Sequence, residues 1–193
     1  MVESILRSHR IEPLTPQRWG DLERLFGPHG ACAGCWCMWW RLRRKEFDAN
    51  AGAGNRQALR AIVQVGPPPG LLAYAGSEPV GWCQVTPRTD LPTLDRSRFL
   101  KPVDDLPVWS LSCFFINAGH RRQGLTSALI EAAKTHARQA GAATLEAYPW
   151  DTAERKSTST LYTGRASTFY RAGFVDAARR VPHRPIVRCD LGR

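Results

Sequence analysis

The spacing of hydrophobic residues divides the chain into helical and extended segments. Apolar residues three and four positions apart predict helices over residues 15–26, 124–139 and 166–172, and over a further segment that Asn55 caps and Gly66 ends. Thr15 and Pro16 supply the hydroxyl and the proline that favour a helix start. Shorter apolar runs predict strands at residues 9–13, 71–74, 80–85, 108–116, 144–148, 174–181 and 186–189.

This order of elements is typical of a mixed α/β domain, with a strand–helix–strand crossover between residues 108 and 148. We therefore predict a single domain over residues 1–193.

Two stretches lack a clear period. Residues 29–41, here named the Cys–Trp segment, are rich in cysteine and tryptophan, and residues 87–107 are rich in proline and charge. The second stretch predicts a long functional or mobile loop.

The composition narrows the class of protein. A hydrophobic fraction of 43% and an aromatic fraction of 9% are those of a folded globular chain. No apolar run is long enough to span a bilayer, and the first residues contain no apolar signal core, so we predict a cytoplasmic protein without membrane contact. In a reducing compartment the six cysteines are expected to be thiols or metal ligands rather than disulfides.

The charge balance favours anionic partners. Lys plus Arg number 27 against 17 for Asp plus Glu, which gives a formal net charge of +10. The excess is almost entirely arginine, so the base composition of a GC-rich genome and a solvated basic surface explain it as well as a ligand does. No nucleic-acid partner is expected, because the chain contains no known nucleic-acid motif and no dense arginine run with interleaved aromatic residues.

Residues 117–127 join the long apolar strand to the helix that follows it. A glycine at the helix start lets backbone N–H groups approach a ligand, and Arg121 and Arg122 add positive potential there. The segment matches neither the dinucleotide fingerprint nor the lysine-bearing phosphate loop. These features predict a site for a pyrophosphate group.

Two separated motifs resemble those of the GNAT family of N-acetyltransferases. Residues 113–126 resemble the family's acetyl-CoA motif, in which Arg/Gln-x-x-Gly-x-Gly/Ala follows an apolar strand; Arg121 and Gly124 match, and Thr126 departs from the pattern. Residues 167–174, Ser-Thr-Phe-Tyr-Arg-Ala-Gly-Phe, are similar to the family's last helix and its aromatic signature. The resemblance covers roughly residues 70–181.

The resemblance implies a GNAT-like fold, with a central, mostly antiparallel sheet that splays between two parallel strands and is flanked by helices. It implies acetyl-CoA as cosubstrate, with pantetheine on the backbone of Phe114, Phe115 and Ile116. Arg121 would anchor the phosphate turn. The pyrophosphate would lie on the amides of Arg122, Gln123, Gly124, Leu125, Thr126 and Ser127.

The implied reaction is transfer of an acetyl group to a primary amine by direct attack in a ternary complex. The acceptor is a small-molecule or a protein amine, and a homodimer is among the assemblies left open. A non-catalytic acyl-CoA-binding module is the alternative, followed by a basic nucleic-acid-binding protein.

Two residues are candidates for the chemistry. Where many family members place an acidic tyrosine this chain has Phe169, so Tyr170, about 100° further around the helix, is the candidate acid. Glu146 shares a strand face with Tyr148 and is the candidate base, acting through water. A packed surface aromatic and an exposed strand residue are the alternative interpretations. Water can also protonate the leaving thiolate.

The Cys–Trp segment is predicted to form the acceptor side of the site, with Trp36, Trp39 and Trp40 as an aromatic lining. A tryptophan-rich core is the alternative. His29 with Cys32, Cys35 and Cys37 supplies four soft ligands, but the second distant ligand pair of a zinc site is missing. No metal is therefore expected.

Overall fold

The computed structural model describes residues 9–154, 157 and 159–192, so the N-terminal segment without a signal core lies outside the described residues. Within these residues seven strands form one sheet in the order β1-β2-β3-β4-β5-β7-β6. Only the β4–β5 pair is parallel, and the other neighbours are antiparallel. The strands are β1 (Arg10–Pro13), β2 (Gly70–Ala75), β3 (Glu78–Pro87), β4 (Trp109–Ile116), β5 (Thr144–Ala147), β6 (Val175–Ala178) and β7 (Ile186–Asp190). The predicted mixed α/β class with a mostly antiparallel sheet is confirmed.

Six α-helices connect the strands in the described part of the chain. They are α1 (Trp19–Phe26), α2 (Arg44–Ala49), α3 (Ala53–Val65), α4 (Pro92–Asp95), α5 (Leu125–Gln139) and α6 (Ala166–Arg171). None of them combines the length and apolar character needed to cross a membrane.

The sheet separates two hydrophobic layers. Helices α5 and α6 pack on one face of the sheet, where Leu125, Leu129 and Phe169 join its buried apolar side chains. Helices α1 and α3 cover the other face, through residues such as Leu22 and Leu59. Strands β2 and β3 are buried along almost their whole length because both of their faces are covered.

The predicted cap of α3 is wrong. The helix begins at Ala53, after Gly52, and Asn55 lies inside its first turn, fully buried. The Asn55 side-chain amide donates to the carbonyl oxygens of Gly34 at 3.0 Å and Phe47 at 3.3 Å. Asn55 therefore ties α3 to the Cys–Trp segment, a tertiary role that local spacing does not reveal.

Residues 87–107 are packed against the domain rather than free. A 3-10 turn at Arg88–Asp90 and helix α4 interrupt the stretch. Leu91, Leu94 and Leu100 are buried in one cluster with Trp40 and Tyr148. Three leucines thus anchor the first part of the stretch to the Cys–Trp segment, whereas residues 101–107 contain no helix or strand and are mostly exposed.

A buried carboxylate joins this packed stretch to the sheet. Glu146 on β5 is fully buried, and its two oxygens accept from Arg88 Nη1 at 2.7 Å and from Arg188 Nε on β7 at 2.8 Å. Tyr148 also donates to Glu146, at 2.8 Å, and lies 2.7 Å from Ser110 Oγ on β4. The Glu146 network, meaning Glu146 with Arg88, Arg188, Tyr148 and Ser110, therefore connects three strands.

We expect Arg88→Met to lower the free energy of unfolding by about 3–5 kcal/mol, because removing one partner leaves part of the buried Glu146 charge uncompensated. Urea titration followed by circular dichroism measures the loss. Arg24→Met is the matched control, since Arg24 is 63% exposed in its pair with Asp21 and such pairs contribute about 0–1 kcal/mol. Equal, small losses for both variants would contradict this role of the network.

Candidate functional site

Strands β4 and β5 separate part-way along their length. Their parallel ladder joins Trp109 to Leu145, Ser110 to Glu146, and Leu111 to Ala147, and ends there while β4 continues to Ile116. Residues 112–116 of β4 thus lie beyond the β5 ladder, with a backbone edge that needs other hydrogen-bond partners. This opening is the splay that the resemblance implies.

A β-bulge lies at the point of separation. Opposite β3, Val85 pairs with Leu111 and Gln84 with Cys113, so Ser112 is an additional residue of β4. Ser112 Oγ donates to Gln84 Oε1 at 2.9 Å, and Gln84 Nε2 donates to the Cys37 carbonyl at 3.0 Å. A bulge bends its strand and increases the local twist, which helps β4 to turn away from β5.

The turn after β4 aims the start of α5 at the same opening. Arg121 Nε donates to the carbonyl of Ile116 at 2.9 Å and fixes the end of the strand, while Gln123 Nε2 donates to that of Gly119 at 3.0 Å. Arg122 (φ 60°) and Gly124 (φ 81°) both adopt left-handed backbone conformations. The turn therefore closes within a few residues and leaves the first amides of α5 without partners inside the helix.

These features fit a long ligand with an amide-bearing arm and a phosphate end. The structure brings Phe114, Phe115 and Ile116 to the splayed edge and residues 121–127 to the turn and first helical turn beside it. Arg121, Arg122 and Gln123 are exposed, and Leu125 is buried and anchors the helix start to the core. The positive end of the helix dipole favours an anion at this position.

The placement of Glu146 contradicts its predicted role as a water-linked base. Both of its oxygens are engaged inside the Glu146 network, and the side chain is fully buried. A base must exchange its proton with the acceptor or a water molecule, and an enclosed carboxylate between two arginines has no such path. Tyr148, two residues further along the chain, is equally buried, and burial raises the pKa of its hydroxyl well above the usual range.

The placement of Tyr170 also contradicts its predicted role. Its side chain is 37% exposed, donates to Asp176 Oδ1 at 2.7 Å and accepts from Arg179 Nη2 at 2.7 Å. Burial and the bond to Asp176 raise the pKa of Tyr170 to about 12. Phe169 instead faces the core, with its ring centroid 6.1 Å from that of Phe114. The inner side of α6 therefore presents a phenyl ring that carries no exchangeable proton.

Tyr162 is a polar residue near the splay that the sequence analysis missed. It lies in a 3-10 turn, Leu161–Thr163, which packs against β4. Its ring centroid is 6.3 Å from that of Trp40. Burial and then Cys113 raise the pKa of Tyr162, and Arg184 opposes the shift. No periodic pattern marks this short turn in the sequence.

The three tryptophans of the Cys–Trp segment occupy different environments. Trp36 is buried, and its ring lies 6.0 Å from Trp19 and 5.5 Å from Phe26, so its prediction as an acceptor contact is corrected to a core role. Trp40 is also buried, in the cluster that holds Leu91 and Leu94.

Trp39 is only half-buried. Its ring packs edge-on against Phe47, and the Arg44 guanidinium lies 4.9 Å from the ring centroid.

The backbone of this segment is strained. Ala31, Ala33, Trp36 and Cys37 all have positive φ angles, a conformation that side chains other than glycine rarely adopt. At Gly30 an added Cβ would lie 2.2 Å from the Trp36 indole nitrogen, so only glycine fits there. Such strain persists only where the surroundings fix it, and it is frequent at functional sites.

The cysteines attach the segment to the sheet. Cys37 Sγ lies 3.6 Å from Cys113 Sγ on β4 and accepts from Trp82 Nε1 at 3.1 Å. Cys35 is half-buried, and burial followed by Cys37 raises its pKa to about 12, whereas Cys32 is exposed. Within the described ranges, no group of three or more His, Cys, Asp or Glu side chains is placed to hold a metal ion.

The sequence matches the model of the acetyltransferase (GNAT) family over residues 36–157, more than half of the chain. The fold is similar to that of a GNAT-family acetyltransferase from Listeria monocytogenes, with a TM-score of 0.56, 11% identity and 94% of each chain covered. It is also similar to an N-acetyltransferase from Staphylococcus aureus, with a TM-score of 0.53, 13% identity, and 95% of this chain and 99% of that chain covered.

A third similar structure is the PaiA N-acetyltransferase from Thermoplasma acidophilum in complex with coenzyme A, with a TM-score of 0.51 and 12% identity. The alignment covers 95% of this chain and 99% of that chain. At these identities the likeness shows the fold alone. No curated protein sequence matches the chain.

Trp36→Ala and Trp39→Ala should separate the core from the surface of the Cys–Trp segment. Truncation of the buried Trp36 is expected to cost about 3–5 kcal/mol of unfolding free energy, and that of the half-buried Trp39 clearly less. Urea unfolding of both variants gives the two values side by side. Losses of the same size at the two positions would show that Trp36 is not the core residue of the pair.

Proposed function

The chain belongs to the GNAT family of acetyltransferases, and from this we propose that it transfers the acetyl group of acetyl-CoA to a primary amine by direct attack in a ternary complex. The observation that carries the proposal is the splay of β4 from β5, followed at once by the turn into α5. The splayed strand edge suits the extended pantetheine arm of a ligand, and the helix N-terminus that follows it directly suits the pyrophosphate of the same ligand.

Acetyl-CoA would supply the acetyl group as a reactive thioester. The backbone of Phe114 to Ile116 would hold the pantetheine amides, and the amides from Arg122 to Thr126 would hold the pyrophosphate. The predicted contribution of the Ser127 amide is dropped, because that amide donates to the Gly124 carbonyl at 2.9 Å. Arg121 keeps its position through the bond to Ile116, so its contribution is to the shape of the turn. Arg122 is exposed and is therefore the side chain that supplies charge to the phosphates.

On the acceptor side the Cys–Trp segment and the Leu161–Thr163 turn approach the splayed half of β4. The Tyr162 hydroxyl is the titratable proton donor that we assign to this side, in place of Tyr170. A tyrosine hydroxyl is protonated at neutral pH, which is the state that a proton donor requires.

A non-catalytic acyl-CoA-binding module is the second candidate. Phe169 favours it, because the inner side of α6 offers a buried phenyl ring where many relatives offer a tyrosine. Release of free thiol from acetyl-CoA in the presence of an amine panel distinguishes the two. Binding without amine-dependent thiol release would favour the module.

Acetyl-CoA is expected to raise the melting temperature, because a ligand that binds only the folded chain stabilises it by mass action. Gly124→Asp should abolish that increase, since the new carboxylate repels the phosphates at the helix start. Gly76→Asp is the matched control: Gly76 also has a positive φ, of 60°, with open space around it. A full acetyl-CoA shift in a folded Gly124→Asp variant would refute the assignment of this turn.

Arg122→Asn should raise the KM for acetyl-CoA by about threefold to tenfold at low salt, with little change in the KM of the acceptor. Asparagine tolerates the left-handed backbone of this position better than most residues and removes only the charge. The effect should shrink as ionic strength rises, because salt screens an exposed charge. Steady-state kinetics in low and high salt measure the effect, with Arg24→Asn as the control. Equal changes in the KM for acetyl-CoA and the KM for the acceptor would disprove this role.

A further inference from the structure

Arg41, at the end of the Cys–Trp segment, is a buried charge with an incomplete set of partners. Its side chain is 8% exposed, and Nη1 alone approaches an acid, at 3.6 Å from Asp90 Oδ2. Its Nε and Nη2 atoms are buried and make no hydrogen bond among the residues that the structure describes. Burial lowers the pKa of Arg41, and Asp90 and Cys37 only oppose that shift.

The two unpartnered atoms form one edge of the guanidinium group. Nε–H and the Nη2–H beside it point the same way, and this planar fork matches the two oxygens of a carboxylate. The group is rigidly presented, because Thr93 N donates to the Trp40 carbonyl at 3.1 Å and Thr93 Oγ1 to the Leu42 carbonyl at 2.8 Å. The chain on both sides of Arg41 is thereby pinned to α4.

Arg41 lies on the acceptor side of the splay. Its backbone N–H donates to the carbonyl of Met38 at 3.0 Å, and Cys37, which precedes Met38, has its Sγ 3.6 Å from Cys113 Sγ on β4. The preceding residue, Trp40, packs against Tyr162. An anion bound to the free edge of Arg41 would therefore belong to the acceptor and not to the coenzyme, whose phosphates are placed at α5.

A second partly buried cation, Arg184, lies on the same side of the splay. Arg184, in the loop between β6 and β7, is half-buried over the Trp150 ring, 4.6 Å from its centroid, and donates to Thr163 Oγ1 at 3.1 Å. No carboxylate within the described ranges forms an ion pair with it. Arg184 thus brings a positive charge, with no ion-paired acid among the described residues, to the turn that carries Tyr162.

We propose that Arg41 binds a carboxylate of the acceptor through its Nε and Nη2 edge, so that the acceptors are amines that also carry a carboxylate group. This inference rests on the proposed acetyltransferase function. Because the edge lies inside the protein, a carboxylate reaches it by displacing the side chains that cover it. The bidentate bond, together with relief of an uncompensated buried charge, drives that displacement.

The test uses α-amino acids and longer aminoalkanoic acids, each paired with its carboxamide, as acceptors at saturating acetyl-CoA. For wild type and Arg41→Gln we compare the ratio of kcat/KM for acid and carboxamide. The acid and its carboxamide differ in the pKa of their amines. This difference affects wild type and variant equally, so it cancels when their two ratios are compared. We expect wild type to prefer the acid, and Arg41→Gln to reduce this preference by about tenfold or more with the carboxamide almost unchanged.

Two further variants control the experiment. Arg41→Lys keeps the charge but not the planar fork, so it should recover only part of the preference, whereas Arg24→Gln should behave as wild type. Arg41→Gln should melt no lower than wild type, because it removes a poorly paired buried charge. A lower melting temperature with equal losses for acid and carboxamide would mean that Arg41 has a structural role only.

The outcomes also separate this inference from the proposed function. A wild-type enzyme that acetylates the carboxamides as well as the acids, or acetylates no carboxylate-bearing amine while acetyl-CoA still raises its melting temperature, overturns the role of Arg41 alone. Absence of both the acetyl-CoA shift and amine-dependent thiol release overturns the function on which it rests.

Discussion

The Glu146 network holds the sheet together beside its opening. One buried carboxylate receives bonds from Arg88 after β3 and from Arg188 on β7, and Tyr148 connects it to Ser110 on β4. Ser110 and Glu146 form the second of the three paired positions of β4 and β5, one pair before the ladder ends. A buried ion network contributes little net stability compared with apolar packing, but it tolerates few alternative arrangements. The network therefore joins β4, β5 and β7 beside the opening, on the strands that carry both halves of the site.

The two halves are built by different physical means. The proposed coenzyme side is a short backbone turn, in which two left-handed residues and the Arg121 bond to Ile116 orient free amides. The proposed acceptor side is a strained loop held by side chains: Cys37 against Cys113, and Asn55 against the carbonyl of Gly34. The first arrangement suits any ligand with the same phosphates, whereas the second depends on individual side chains.

Regular elements and the turn between β4 and α5 could be predicted from the sequence because their signals are local. The apolar run of β4, the glycine at 124 and the period of α5 lie within one short stretch. The catalytic candidates could not be predicted, since alternation places Glu146 and Tyr148 on one face but does not say whether that face meets water. No sequence pattern marks Arg41 or Tyr162, because their proposed roles depend on burial and on surroundings that only the folded chain creates.

The bulge at Ser112 exchanges the two faces of β4 within one strand. Before the bulge, the odd-numbered residues Trp109 and Leu111 face the α5 layer. After it, the even-numbered residues Phe114 and Ile116 face that layer. Cys113 and Phe115 face α1. If the same residues formed a regular strand without the bulge, alternation from Leu111 would instead turn Cys113 and Phe115 towards the α5 layer and Phe114 towards α1. One additional residue in β4 therefore decides which of these side chains meets which hydrophobic layer.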